Sequence, residues 1–535
     1  MGKLFYQKLI NLFYLHPLLL AIFPILAFYN SNINKIRFTR IVETLEISVG
    51  LTIGIWLLLY SLVGNRYKTS LLVSYFLLLF YSYGHVYSPL DWLLYEYANG
   101  QNSIGLFVLG LMLSLWLILL IGGAIFIIKL RKNLIPITQL INKISIFLII
   151  ISLLQIFYFN LKFNYILSIN PLTSKVSGLS NSGDKKTSLI YTNLPNIYYI
   201  ILDGYANSEV LERIYGYDNN TFEAFLKKKG FNIASKARSN YALTYLSLAS
   251  SLNMKYINYL ADMVGKDSTN AVIASDMLKN NELLKFLGTK GYKTINFNSG
   301  RRISNNNKFA DLNITCIKDN DYITALLLTT ILRPLENILS LQNQHERVLC
   351  TFSKLATIRE EVENPIFVFA HIVSPHPPFV FGANGEPIKD IQLNQANNIK
   401  AFANKEAYVN QLKFINKKME ELVEELTSDK NNLPIIIIQA DHGSAATPGM
   451  EEYNPNLIQE RMKPFVASYL PGKNNFIHES VTPVNIFRLI FNNYFNTNYQ
   501  ILENRVYFSS YGKPYNFVDV TDNIWQKDTE DVPIL

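Results

Sequence analysis

Cysteine is scarce in this chain: Cys316 and Cys350 are the only two among 535 residues. Surplus charge is missing from most of its length. Residues 1–166 hold 12 Lys and Arg against 4 Asp and Glu, and the 37 bases and 37 acids that follow cancel. That neutrality, with no basic aromatic stripe, excludes a nucleic-acid surface. No internal repeat occurs. The first apolar stretch carries two prolines and lacks a clear small-x-small cleavage site, so it does not read as a signal peptide.

Charge is altogether missing from five early stretches: Leu9–Tyr29, Ile47–Gly64, Thr69–Leu90, Ile104–Ile128 and Ile144–Leu161. Each approaches or exceeds the roughly 18–20 residues that cross a bilayer as a helix. One or two buried core helices would be the plainer reading, but five in series with short polar loops favour spans. Lys3, Lys8, Arg66, Lys68, Lys129, Arg131, Lys132 and Lys143 all fall on one side if the N-terminus is cytoplasmic. The loop Asp91–Ser103, opposite, has no base, whereas Lys35, Arg37 and Arg40 break the rule. This topology predicts an integral protein of the cytoplasmic membrane with everything after about residue 165 outside the cytoplasm. There Cys316 and Cys350 are expected to pair, with two buried thiols as the alternative.

The expected division is a membrane domain over 1–165, a linker over 166–194 and an exported domain over 195–535. The linker is Ser-, Asn- and Gly-rich from Ser168 to Ser188. Beyond it, apolar strands are expected at Asn196–Leu202, Thr294–Phe297, Pro365–Ile372, Ile435–Ile438 and Pro464–Leu470. Helical spacing falls between them, at Phe222–Lys229, Ala271–Leu287 and Lys405–Leu426. Strands alternating with helices predict a mainly parallel sheet covered on both faces, an α/β/α sandwich.

Open α/β sheets place chemistry at the carboxyl ends of their strands. Four isoleucines, Ile435–Ile438, run into Gln439-Ala440-Asp441-His442-Gly443. The first expected strand, Asn196–Leu202, runs into Asp203-Gly204. Asp203, Asp441 and His442 are candidate ligands for a divalent cation. Thr244 opens a Ser- and Thr-rich apolar helix, where backbone N–H groups favour an anion. Asn240 lies in the turn before it. His376 sits in a proline-stiffened loop, Ser374-Pro375-His376-Pro377-Pro378, while His371, inside the strand, reads as structural. Arg461 could meet an anionic substrate. His85, near the end of the third span, could meet a lipid headgroup. Each has a plainer reading: a cap for Asp203 or Thr244, a turn for Asp441-His442, a loop histidine for His376, a surface arginine for Arg461 and an interfacial histidine for His85.

Together these residues suit one chemistry. A cation held by Asp203, Asp441 and His442 could activate the Thr244 hydroxyl to attack phosphorus. His376 could bind a phosphate oxygen or protonate the leaving alcohol. Their order resembles the alkaline-phosphatase/sulfatase superfamily. Within it, the chain resembles the membrane-anchored lipoteichoic acid synthases and phosphoethanolamine transferases.

The resemblance implies an alkaline-phosphatase-like exported domain behind about five spans. It implies one metal, manganese or zinc with magnesium also compatible, held by Asp203, Thr244, Asp441 and His442. It implies a substrate-contacting role for His376. Two departures stand out. At Thr244 the chain reads Thr-Tyr-Leu-Ser-Leu, not the Cys/Ser-x-Pro-x-Arg of sulfatases. After Asp441-His442 the next histidine is His478, so a second metal and a phosphoethanolamine donor are not implied.

The expected activity is transfer of a phospho-alcohol group from a phospholipid to an envelope glycan or lipid. A phosphodiesterase or phosphatase of the same fold, or a non-catalytic membrane protein, is the alternative.

Overall fold

The computed structural model describes residues 15–34, 38–97, 102–131, 133–169, 194–317, 321–388, 399–473 and 475–525. The expected linker lies outside them beyond Ile169. The described residues form two compact units.

The first unit is helical: α1 (His16–Ser31), α2 (Val42–Val63), α3 (Arg66–Tyr97), α4 (Asn102–Lys129) and α5 (Ile135–Ile169). Four of the five expected spans are helices long and apolar enough to cross a membrane. The first expected span falls partly on residues 1–14, outside the described residues, and its described part is a 16-residue apolar helix. Large apolar side chains such as Leu62, Ile118 and Phe126 point outward. Polar side chains such as His16, Ser74 and Asn142 are buried: His16 Nδ1 bonds Ser74 Oγ, and Asn142 Oδ1 accepts from the His16 backbone N–H. That inversion of a soluble protein's pattern suits a hydrocarbon solvent.

This unit also contains residues 321–337, a segment from far along the chain. Tyr322 donates its hydroxyl to the Ile25 carbonyl at 2.7 Å and packs, with Leu326, among Ile25, Leu26, Tyr29, Ile41 and Ile156. The Gly84 N–H donates to the Thr329 carbonyl at 3.1 Å, and Ile331 N–H donates to the Phe80 carbonyl at 3.0 Å. Residues 80 and 84 are spaced to bond each other in a regular helix, and here both reach the incoming segment. Glycine is what allows it: a Cβ at Gly84 would lie 2.1 Å from the Leu328 oxygen. Cys316 and Cys350, on either side of this excursion, are disulfide-bonded within the second unit.

The second unit is built on a seven-stranded sheet in the order β2-β7-β6-β1-β5-β3-β4. The strands are β1 (Ile197–Leu202), β2 (Asn232–Ile233), β3 (Lys293–Phe297), β4 (Leu312–Ile314), β5 (Ile366–Ile372), β6 (Ile435–Gln439) and β7 (Val466–Tyr469). β6, β1, β5, β3 and β4 are parallel, while β7 is antiparallel to both its neighbours, β6 and the edge strand β2. Every residue of β1, β5 and β6 is buried, which is why these segments are apolar, His371 and Gln439 near their ends excepted, instead of alternating. One face packs on the helices Thr244–Asn253 and Pro483–Tyr494 through Leu248, Leu252, Phe487 and Phe491. Tyr199 and Phe487 meet edge to face with ring centroids 4.9 Å apart.

Expected strands and helices match closely, with one exception. Ala271–Leu287 is two helices, Val272–Lys279 and Glu282–Thr289. Asn281 breaks the run because its side chain accepts from Leu284 N–H and caps the second helix.

Gly84→Val should expel the segment 321–337 from α3, because overpacking of this kind costs about 1–3 kcal/mol. The expected readout in detergent-solubilised protein is a lower Tm and new proteolytic cleavage within 321–337. An unchanged Tm and cleavage pattern would count against the contact.

Candidate active site

Strand register assembles the site. Ile201 of β1 pairs with His371 of β5 and with Gln439 of β6. Two residues further on, Asp203 and Asp441 therefore stand side by side beyond two adjacent parallel strands. Strand alternation puts His371 on the same side as both. His442 follows Asp441, and Thr244 is the first residue of the helix Thr244–Asn253, one position inside the cap.

The distances are short. His371 Nε2 lies 3.3 Å from Asp203 Oδ2. His442 Nε2 lies 2.9 Å from Asp441 Oδ2, 3.9 Å from Asp203 Oδ1 and 3.0 Å from Thr244 Oγ1. Asp203, His371, Asp441 and His442 are buried, whereas Thr244 is half-buried. Thr244 is thus the least buried residue of the cluster.

Gly204 and Gly443 let the chain turn at these strand ends. Gly204 has φ +71°, and its N–H donates to Asp441 Oδ1 at 3.1 Å. A Cβ at Gly443 would lie 2.3 Å from the Glu460 carbonyl oxygen. Ser247 donates to the Asp441 carbonyl at 2.6 Å, tying the threonine helix to β6. Glu460 accepts from Ser444 Oγ and from the N–H groups of Ala446 and Thr447, which holds the loop after the Asp-His pair.

The residues fit a cation. Asp203 Oδ1, Asp441 Oδ2 and His371 Nε2 are buried with no hydrogen-bond partner among the described residues. Asp203, His371 and Asp441 each offer a ligand atom, all within 4.8 Å of one another. His442 Nδ1 donates to the Gly443 carbonyl at 2.9 Å, and Arg461 Nη2 donates toward Nε2 at 2.7 Å. These contacts assign the lone pair to Nε2. That lone pair then faces the Asp441 carboxylate at 2.9 Å, an arrangement a shared cation makes favourable. Imidazole and carboxylate donors suit zinc or manganese.

Burial opposes charge on Asp203, but the imidazoles of His376, His371 and His442 hold its carboxyl well below the usual range. Burial pushes the His376 imidazole down to about 4. His376 Nδ1 donates to the Pro377 carbonyl, and its backbone N–H donates to the Asp203 carbonyl at 2.9 Å.

Arg461, Asn240 and His85 complete the expected residues. Arg461 is fully buried, not on the surface, and donates to the Ala242 and Gly443 carbonyls as well as toward His442. It braces the turn before Thr244 against the Asp-His loop. The Asn240 amide is committed to backbone: it accepts from Val484 N–H and donates to the Arg505 carbonyl. His85 lies exposed on α3 of the helical unit, and His478 is exposed in the second unit.

His371, read from sequence as structural, joins the cluster, with Ser304 bonded to its Nδ1. Its signal was a register two residues short of Asp203 and Asp441. Only the register reveals that.

The sulfatase family model matches residues 195–491, more than half of the chain. The chain belongs to the sulfatase family, within the alkaline-phosphatase/sulfatase superfamily, and is an enzyme of sulfatase-like type. No curated protein matched it. Among solved structures it is similar to the C-terminal periplasmic domain of EcEptC from Escherichia coli. That match has 12% identity and a TM-score of 0.42 over 64% of this chain and 96% of that one. The periplasmic domain of phosphoethanolamine transferase EptC from Campylobacter jejuni matches at 13% identity and TM-score 0.36, over 58% and 92%. The lipoteichoic acid synthase LtaP from Listeria monocytogenes matches at 11% and 0.32, over 56% and 71%.

His371→Ala should weaken divalent-metal retention roughly 10–100-fold, whether His371 binds the ion or orients Asp203. Metal analysis of purified full-length protein after graded chelation measures it. Retention equal to wild type would remove His371 from the site.

Proposed function

We propose that the protein is a membrane-anchored, metal-dependent transferase with its catalytic domain outside the cytoplasm. It moves a phospho-alcohol group from a phospholipid to an envelope glycan or lipid. One observation carries this reading: at a helix N-terminus the hydroxyl of half-buried Thr244 lies 3.0 Å from His442 at the edge of a buried Asp–His–Asp group.

Asp203, His371, Asp441 and His442 are the residues that would hold the cation. When bound, a divalent cation lowers the pKa of a neighbouring hydroxyl and stabilises charge on a phosphoryl group. Thr244 Oγ1 attacks phosphorus, and the bond to the lipid alcohol breaks. The threonine proton ends on the departing lipid alcohol, leaving the phospho-alcohol group on Thr244 as a phosphodiester at the helix N-terminus. Backbone dipoles there favour the negative phosphoryl group.

In the second step an acceptor hydroxyl attacks phosphorus, the phosphorus–Thr244 Oγ1 bond breaks, and the acceptor's proton ends on Thr244 Oγ1. His376 suits the proton transfer of this step. Its Nδ1–H is spent on Pro377, and its lowered pKa keeps the ring neutral near neutral pH, so Nε2 carries a lone pair that can relay the proton. Arg461 is a positioning residue that keeps the threonine turn against His442. The four long apolar helices would hold the enzyme where a phospholipid headgroup meets water.

Thr244→Ala should reduce transfer from labelled phospholipid in vesicles by at least roughly 10³-fold. Analysis of the products separates transfer from hydrolysis: a phosphorylated glycan or lipid supports transfer, and a free phosphate ester supports a hydrolase. Transfer at the wild-type rate would rule out the threonine mechanism.

A further inference from the structure

The helical unit carries a feature that its role as an anchor leaves unused. Asn30 and Ser31 at the end of α1, Ile33 beyond it, and Gln155, Tyr158 and Phe159 of α5 line a groove of about 380 Å³. Gln155 stands 20 residues beyond Ile135, about 30 Å along a helix that rises 1.5 Å per residue. That distance is about one hydrocarbon thickness. The groove therefore lies toward the end of α5 from which the chain continues to the catalytic unit. It opens on a lipid-like surface, where Leu154 is 59% exposed and Tyr158 69%.

The polar groups in it are arranged as a donor and an acceptor. Asn30 Nδ2 donates to the Ser152 carbonyl at 3.2 Å and to Gln155 Oε1 at 2.9 Å. Both of its hydrogens are thereby used, which assigns the amide orientation. Asn30 Oδ1 is left buried without a partner among the described residues. Gln155, accepting through Oε1, keeps its Nε2 hydrogens for another acceptor. Among the described residues that line the groove there is no carboxylate and no basic side chain. An uncharged donor–acceptor pair beside a tyrosine, at the level where chain meets headgroup, matches the polar region of a phospholipid. A water-soluble ligand would gain nothing from a mouth turned toward the acyl chains.

We propose that this groove holds a phospholipid by its headgroup region. Gln155 Nε2 donates to a phosphate or ester oxygen. Asn30 Oδ1 accepts from a headgroup hydroxyl or ammonium. The inference rests on the transferase reading and adds the place where the donor lipid waits. One wall continues into the cluster that contains Tyr322. Ile33 packs against the cluster that Tyr322 and Leu326 form with Ile25, Leu26, Tyr29, Ile41 and Ile156. The segment 321–337, from the catalytic part of the chain, thus packs beside the groove.

The binding test needs no turnover, so its outcome is independent of the threonine mechanism. Full-length Thr244→Ala protein is reconstituted in vesicles containing a phospholipid with a photoactivatable headgroup, and the labelled peptides are mapped. Labelling should concentrate on 30–33 and 155–159, and fall about fivefold in Thr244→Ala/Gln155→Ala, the loss expected for one hydrogen bond. Gln155 is exposed, so this variant keeps its fold; Asn30→Ala serves as the second. In the otherwise wild-type chain, Gln155→Ala should raise KM for the lipid donor about fivefold and leave kcat within about twofold.

Competition by glycerol-headed or ethanolamine-headed lipid identifies the donor group on the ligand, and either supports the proposal. Even labelling of α2 and α4, equal competition by diacylglycerol, or an unchanged KM overturns it. If transfer itself proves independent of Thr244 while labelling stays in the groove, the mechanism fails and the lipid site stands.

Discussion

Two carboxylates forced together in a dry place organise the catalytic unit. Asp203 and Asp441 leave adjacent parallel strands in the same register, and neither is exposed. Burying two like charges is favourable only when positive charge and hydrogen bonds surround them. The surroundings follow that demand. His371 and His442 approach from two sides, Gly204 N–H caps Asp441, and Arg461 backs His442. Thr244 completes the ring from a helix that Ser247 pins to the same strand end. The site is thus an outcome of strand order, with β1 placed between β5 and β6.

A second constraint governs the helical unit. Its helices must satisfy their polar groups internally, and they do so with buried contacts such as His16 to Ser74. The segment 321–337 obeys the same rule from outside the run of spans. It brings backbone donors and acceptors to Phe80 and Gly84, and it fits because Gly84 has no side chain. The Cys316–Cys350 disulfide closes the loop that makes this excursion. The chain therefore joins its two units at the end of α5 and again through this segment.

Local physics explains what could be read in advance. Runs such as Ile435–Ile438 and Ile197–Leu202 are apolar at every position, and only a strand covered on both faces tolerates that. Charge-free stretches near bilayer length announce membrane helices without any tertiary information. Asp203, Thr244 and Asp441-His442 were visible because strand ends and a helix start are local features with chemical side chains attached. The split of Ala271–Leu287 was not, because Asn281 could be read as helical or as a cap. Nor was the role of Arg461, whose three acceptors come from residues 242, 442 and 443.

The sequence by itself determined the class of the chain: apolar helices first, then an α/β domain with acid and histidine at its strand ends. These follow from composition and period, which act over a few residues. Tertiary structure alone decided that His371 belongs with the carboxylates and that Asn240 is spent on backbone. It also decided that 321–337 returns to the helices. Each depends on pairing across hundreds of residues, where a shift of one position in register would turn His371 to the other face of the sheet. Periodicity specifies that a strand exists, but the packing of its neighbours specifies what stands beside it.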